Sequence, residues 1–117
     1  MKRSEKLALI LNKELPNEYK NFIDKYGFYR KDGIEIYGFN ESLDLDNIPS
    51  VIGATKLYRE DYNIKNNELV IYFDDYLNHP LLLNLDNGKI YSIDFKGNRN
   101  ILFNSFNEFI ENIFKEI

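Results

Sequence analysis

The chain has 117 residues, 44% of them hydrophobic, a net charge of −4 and no cysteine. This composition suits a single domain with one core and excludes a disordered chain, and the lack of cysteine excludes a disulfide framework or a thiolate metal site. No stretch approaches the ~20 apolar residues that span a membrane, and residues 1–11 lack the apolar length and cleavage site of a signal peptide. We therefore expect one cytoplasmic domain over residues 1–117.

Two helices are predicted at the N-terminus. Residues 4–13 carry three apolar side chains at helical spacing, Leu7, Ile10 and Leu11. A second helix is predicted from Pro16, which suits a first helical turn, to Gly27, which suits a left-handed end. Its apolar face consists of Tyr19, Phe22, Ile23 and Tyr26.

The next elements are a turn, a strand and a short helix. Asp32-Gly33 is a turn signal, and residues 34–39 alternate as a half-buried strand does. A polar loop follows to about Pro49. Residues 55–62 are compatible with a short helix, with Thr55 as its N-cap.

Three strands are predicted between residues 68 and 94. Residues 68–73 and 81–85 are dense apolar runs of strand length, and residues 89–94 alternate. Asn87-Gly88 separates the last two runs and supplies the positive φ angles that a tight hairpin needs. This is the clearest hairpin signal in the chain.

The chain is predicted to end in a helix after a polar connection at residues 98–100. Ser105 and Glu108 have the spacing of a capping box. The apolar face of the helix consists of Phe106, Phe109, Ile110, Ile113, Phe114 and Ile117. Because strands follow one another without intervening helices, the pattern predicts an α+β fold. We expect a mainly antiparallel sheet of about four to six strands with N-terminal and C-terminal helices packed on it.

Catalytic motifs are missing from the sequence. The one histidine, His79, lies beside Pro80 in an expected surface loop, and no nucleophile motif accompanies it. No glycine-rich phosphate loop is present, so we expect no nucleotide or other cofactor. The prediction is a protein that is not an enzyme.

Two carboxylate pairs could in principle supply oxygen ligands to a metal, namely Asp44 with Asp46 and Asp74 with Asp75. The first pair lacks the glycine and terminal glutamate of a calcium-binding loop, and the second follows a strand, where aspartate favours turns. We therefore expect solvated loops and no metal site. A small metal-dependent hydrolase that uses these aspartates is the competing hypothesis.

Acidic residues concentrate in the middle of the chain. Residues 41–94 hold ten acids against four bases, a net −6, whereas residues 1–40 carry +2 and residues 95–117 are neutral. Binding to nucleic acid requires clustered lysine and arginine, so a nucleic-acid partner is excluded. The pattern favours a basic protein as the partner.

Four segments together resemble the SMI1/KNR4 family, also called the SUKH superfamily. The segments are Leu15-Pro16 to Tyr26-Gly27, the strand over residues 34–39, the hairpin with Asp86-Asn87-Gly88-Lys89-Ile90-Tyr91, and Ser105-Phe106-Asn107-Glu108-Phe109-Ile110. The resemblance covers nearly the whole chain and implies the same α+β fold. It also implies similarity to bacterial immunity proteins, which bind and neutralise a cognate toxin, often a nuclease.

The expected partner is therefore a basic toxin domain, and the alternative is a scaffold or regulatory module that binds an endogenous protein. The oligomeric state stays open. On physical grounds the acidic middle would attract such a toxin, and exposed aromatic side chains would anchor it. The predicted partner-binding residues are Tyr37, Glu41, Asp44, Asp46, Asp61, Asp74, Asp75 and Tyr76.

Overall fold

Four helices and six strands form within residues 1–115, the part of the chain that this computed structural model describes. In chain order they are α1 (Arg3–Leu11), α2 (Asn17–Tyr26), β1 (Tyr29–Lys31), β2 (Ile34–Ile36), α3 (Val51–Arg59), β3 (Glu68–Asp74), β4 (His79–Asn84), β5 (Ile90–Ile93), β6 (Arg99–Phe103) and α4 (Phe106–Lys115). The predicted α+β class is confirmed.

Helix α2 confirms the predicted boundaries. It follows Pro16 and ends at Gly27, where φ is +75° and the amide donates to the Ile23 carbonyl at 2.9 Å. Tyr19 packs on Phe106 of α4, with ring centroids 5.1 Å apart. Tyr26 does not share this packing: it is 52% exposed, and its ring contacts Phe22 and the ammonium group of Lys25.

Helix α1 is held to α2 by a polar contact that the apolar pattern did not predict. The Asp24 carboxylate accepts hydrogen bonds from the Ser4 amide and the Ser4 hydroxyl, both at 2.9 Å. Leu7 is fully buried beside this contact, but Ile10 is half exposed. The predicted apolar face of α1 is therefore only partly buried.

The β1–β2 hairpin turns at Asp32 and Gly33, as predicted, and both residues have positive φ. Strand β1 was not predicted, because its middle and last residues are the charged and exposed Arg30 and Lys31. Strand β2 is shorter than predicted and ends at Ile36. Beyond it the chain makes a single bridge, in which Gly38 pairs with Ser50.

Helix α3 begins earlier than predicted, and Thr55 is not its N-cap. The Ser50 hydroxyl accepts from the amides of Ile52 and Gly53, so the true N-cap lies five residues before the predicted one. Thr55 lies inside the helix and is buried. The small side chains around it blurred the amphipathic pattern on which the prediction depended.

The larger sheet has the strand order β3-β4-β5-β6, and every neighbouring pair is antiparallel. The predicted hairpin between β4 and β5 is confirmed, although only Gly88 of its turn has positive φ, at +74°. Strand β6 was missed. It is an edge strand in which Asn100 and Ile101 are exposed, so its sequence has no apolar alternation.

Both faces of this sheet are covered at its centre, since Leu81, Leu82 and Leu83 of β4 are at most 1% exposed. Helix α4 packs on one face, where Phe109 contacts the rings of Tyr72 and Phe103. The expected cap of α4 is present, because the Ser105 hydroxyl accepts from the Glu108 amide at 3.1 Å. Ile117, predicted to belong to this helix, lies outside the described residues.

The outer edge of β3 is closed by contacts from two other elements. The Val70 amide donates to the Thr55 hydroxyl at 3.0 Å, and the Ile71 carbonyl accepts from the Tyr37 amide at 2.8 Å. The Thr55 hydroxyl itself donates to the Val51 carbonyl. An edge strand whose amides and carbonyls are satisfied in this way is protected from pairing with another chain.

Replacing Thr55 with valine will lower the free energy of unfolding by about 1–3 kcal/mol, because the Val70 amide would lose its acceptor in a buried position. Serine retains the hydroxyl and is the matched control. Urea unfolding of both variants measures the difference, and amide exchange at Val70 should accelerate in the valine variant. Equal stability of the two variants would show that the hydroxyl does not support β3.

Candidate functional site

The turn between β3 and β4 displays an aromatic side chain to solvent. The Asp74 carboxylate accepts from the amides of Tyr76 and Leu77, at 2.9 and 3.0 Å, and the Asp74 carbonyl accepts from the Asn78 amide at 2.8 Å. These bonds fix the backbone of the turn. The Tyr76 side chain is 95% exposed, more than any other large hydrophobic residue among residues 1–115.

A cleft of about 350 Å³ lies on one side of this turn, between the β1–β2 hairpin and β3. Its wall includes Glu35, Asp75 and the rings of Tyr37 and Tyr58. Burial raises the pKa of the Tyr37 hydroxyl, and the neighbouring Tyr58 and the two carboxylates raise it further. The cleft therefore keeps the Tyr37 phenol neutral and presents the carboxylates of Glu35 and Asp75 at its rim.

A second cleft, of about 500 Å³, lies on the other side of the turn against α4. It is lined by Asp74, Asp75 and Tyr76 together with Asn112 and Ile113 of the helix. Asp75 contributes to both clefts, so the turn forms a ridge between two concavities. We call Glu35, Asp74, Asp75 and Tyr76, with the two clefts, the acidic turn surface.

The predicted binding residues are not all brought together. Asp74, Asp75 and Tyr76 lie on the acidic turn surface, and Tyr37 lines its first cleft. Tyr37 is only 4% exposed, so it offers little surface to a partner in this structure. Its amide and its carbonyl are both bonded within the core, which explains this burial.

The other predicted acids lie outside this surface and have local roles. Glu41 pairs with Lys6 at 2.9 Å, and this hydrogen bond lowers the pKa of the Glu41 carboxyl. Asp46 pairs with Lys56 at 3.1 Å. Asp44 accepts from the Asp46 amide and from the Asn47 side chain, which lowers the pKa of its carboxyl. Asp61 is exposed just beyond α3.

Two residues that line the surface, Glu35 and Tyr58, are not among the predicted binding residues. Glu35 lies before the acidic section of residues 41–94, and its carboxylate pairs with Arg30 across the β1–β2 hairpin. Tyr58 stacks on Phe73, with centroids 5.5 Å apart. The alternation of residues 34–39 placed the Glu35 side chain on the other face of the strand from Ile34 and Ile36. Nothing in the sequence indicated that β2 and β3 are neighbours.

His79 is not in a loop, as was expected, but is the first residue of β4. Its Nδ1 lies 3.4 Å from the Tyr62 hydroxyl, and its ring packs edge-on against Tyr62 and Phe95.

Among residues 1–115 no three histidine, cysteine, aspartate or glutamate side chains are close enough to hold a metal ion together. Within the same residues, no helix has both the length and the apolar character needed to cross a membrane.

The architecture defines an α+β domain in which a four-stranded antiparallel sheet carries helices from both ends of the chain. A family model described as SMI1-KNR4 cell-wall matches residues 3–115, nearly the whole chain. The chain therefore belongs to the SMI1-KNR4 family, which confirms the resemblance read from the four sequence segments.

Proposed function

We propose that this protein is an intracellular immunity protein, which binds a basic toxin domain through the acidic turn surface and neutralises it. Membership of the SMI1-KNR4 family is consistent with such a role. The protein acts by covering the toxin and carries out no reaction of its own. A nuclease is a suitable partner class, because an enzyme that binds nucleic acid has a basic surface.

The exposure of Tyr76 is the observation that carries this proposal. A tyrosine with 95% of its side chain in water contributes little to folding, yet large aromatic residues supply much of the energy of protein interfaces. The Asp74 bonds hold the turn before any partner arrives, which reduces the entropy lost on binding. A partner that covers Tyr76 can also fill the clefts on either side.

Charge supports a basic partner at the same place. Asp74 and Asp75 belong to the acidic section of residues 41–94, whose net charge is −6. A negative surface accelerates the approach of a positive one, and salt weakens this attraction. At contact, an arginine or lysine of the toxin can pair with Asp75 at the rim of either cleft.

Replacing Tyr76 with alanine will weaken binding to the toxin by about 2 kcal/mol or more while leaving the unfolding midpoint unchanged. The test uses titration calorimetry with a candidate toxin domain expressed from the adjoining gene. Asp75→Lys should weaken the same complex and slow its association. Glu14→Lys is the matched charge control, since Glu14 is 91% exposed and lies outside the surface.

Co-expression completes the test. The wild-type chain and Glu14→Lys should protect cells from the toxin, whereas Tyr76→Ala should protect poorly. A toxin that neither binds the chain nor loses toxicity would overturn the immunity role. Binding of the acidic turn surface to an endogenous protein, without protection, would instead support a scaffold or regulatory module.

A further inference from the structure

A groove of about 430 Å³ lies between α1 and α3, at the end of β3 opposite the acidic turn surface. Strand β3 has seven residues, Glu68–Asp74, and the groove contacts its first two residues, whereas the turn follows its last one. At ~3.3 Å per residue, Glu68 and the turn are about 20 Å apart along β3, and the groove shares no lining residue with either cleft. The groove is therefore separate from the surface that we assign to the toxin.

Apolar side chains form the floor of the groove and part of its walls. Ile52 and Leu69 are buried beneath it, Leu11 and Leu85 are partly exposed, and the Ile10 side chain is half exposed at its edge. The polar side chains at the floor are satisfied, since Thr55 bonds to Val51 and Val70, and Glu68 is paired with Arg99. Asn66 is the remaining uncharged polar residue of the lining and is exposed, so the buried part of the groove offers apolar surface without an unsatisfied polar group.

Three cations surround this apolar surface, although the whole chain is acidic. Lys13, Lys56 and Arg59 line the groove and are exposed. Arg59 is positioned by donating from Nε to the Ile64 carbonyl. Lys56 pairs with Asp46, but both side chains are exposed to solvent, so a carboxylate of a ligand can replace Asp46 at a small cost in free energy. Glu68 is the acid that lines the groove, and its carboxylate is neutralised by Arg99.

We infer that the α1–α3 groove is a second docking site, which receives an apolar side chain carried by an acidic peptide segment of a partner protein. The apolar side chain would displace water from Ile10, Leu11 and Leu85, which is favourable in proportion to the area covered. Flanking aspartates or glutamates would face the three cations. The charge required of this ligand is opposite to that required at the acidic turn surface.

Selection from a random peptide library displayed on phage tests this assignment. The library is depleted on the Ile10→Glu variant and then selected on the wild-type chain. The enriched peptides should carry leucine, isoleucine, methionine or phenylalanine next to aspartate or glutamate. Their affinity should fall at least about tenfold for Ile10→Glu and for Arg59→Glu. Leu9→Glu is the control, since Leu9 is 67% exposed on the same helix but does not line the groove.

Several results would overturn the assignment. They are an absence of enrichment, peptides without acidic residues, and peptides that bind both groove variants as tightly as the wild-type chain. Basic peptides whose binding is lost in Tyr76→Ala would belong to the acidic turn surface and would leave the groove without a ligand. A wild-type dimer that Ile10→Glu converts to a monomer in light scattering would show that a second copy occupies the groove. Should Ile10→Glu fail to fold, Arg59→Glu decides, because its side chain is exposed.

Discussion

Replacing Arg99 with alanine will lower the free energy of unfolding by about 3–5 kcal/mol. Glu68 is 2% exposed, and its carboxylate accepts from Nε and Nη2 of Arg99 at 2.6 and 2.7 Å. Without the guanidinium, this negative charge would stay buried with the Lys65 amide as its remaining donor. Domains of this size are stable by roughly 5–15 kcal/mol, so the variant should be close to unfolding.

The position of the pair explains why its loss should affect the whole sheet. Glu68 is the first residue of β3 and Arg99 the first of β6, and these are the two edge strands of the four-stranded sheet. Arg99 also donates to the carbonyls of Asn63 and Gly97, at 2.5 and 3.0 Å. The guanidinium therefore links both edges of the sheet to the connection between α3 and β3.

Arg30→Ala is the control for this prediction, because Arg30 is 56% exposed and its pair with Glu35 faces water. Its loss should cost about 0–1 kcal/mol. Adding Glu68→Gln to the Arg99→Ala background should recover part of the stability, since the buried charge is removed. Chemical denaturation measures all three variants. Arg99→Ala and Arg30→Ala with equal stability would refute the buried-pair argument.

Replacing Gly38 with alanine is expected to cost about 3 kcal/mol or more, because the new Cβ would overlap backbone atoms. An ideal Cβ at this position would lie 1.8 Å from the Gly27 carbonyl oxygen and 2.9 Å from its carbon. Gly27 ends α2, and its carbonyl accepts from the Phe39 amide at 2.9 Å. Relief of the overlap would therefore displace α2 or break this bond.

Gly33→Ala separates the steric effect from backbone strain. Gly33 has φ of +80° but no atom within 4 Å of an added Cβ, so alanine there should cost only about 1 kcal/mol. Thermal unfolding of both variants, with the nuclear magnetic resonance shifts of residues 23–27 as a local probe, tests the comparison. If Gly33→Ala proved as damaging as Gly38→Ala, close packing between Gly27 and Gly38 would not be the cause.

The sequence predicted best those elements in which a regular apolar pattern is bounded by a residue that favours the start or the end of a helix or a turn. Helix α2 has Pro16 before it and Gly27 after it, the β4–β5 hairpin has Gly88 at its turn, and α4 begins at Ser105. Strand β6 lacked both signals, because its place in the sheet is fixed by pairing with β5 rather than by its own composition. Helix α3 was misplaced because Gly53 and Ala54 blur its apolar pattern, although Ser50, the true cap, is a residue type that is preferred at that position.

The candidate binding surface was predictable in part, for a related reason. Acidity along the chain pointed to the section that holds Asp74 and Asp75, but sequence distance did not show which acids converge. Asp74, Asp75 and Tyr76 are consecutive and stay together, whereas Glu41 and Asp46 are paired with lysines of α1 and α3. Glu35 joins the surface only because β2 lies beside β3, a contact made by residues far apart in sequence.

Under the proposed binding role, the Asp74 turn has a consequence for how the target of this protein could change. Its conformation depends on one carboxylate that caps its own backbone, and the side chain of residue 76 has no part in those bonds. Any residue except proline at position 76 keeps the amide that donates to Asp74, so this side chain can change with little effect on folding. Selection for a different target can act on this position freely, while the sheet and helices that present it stay the same.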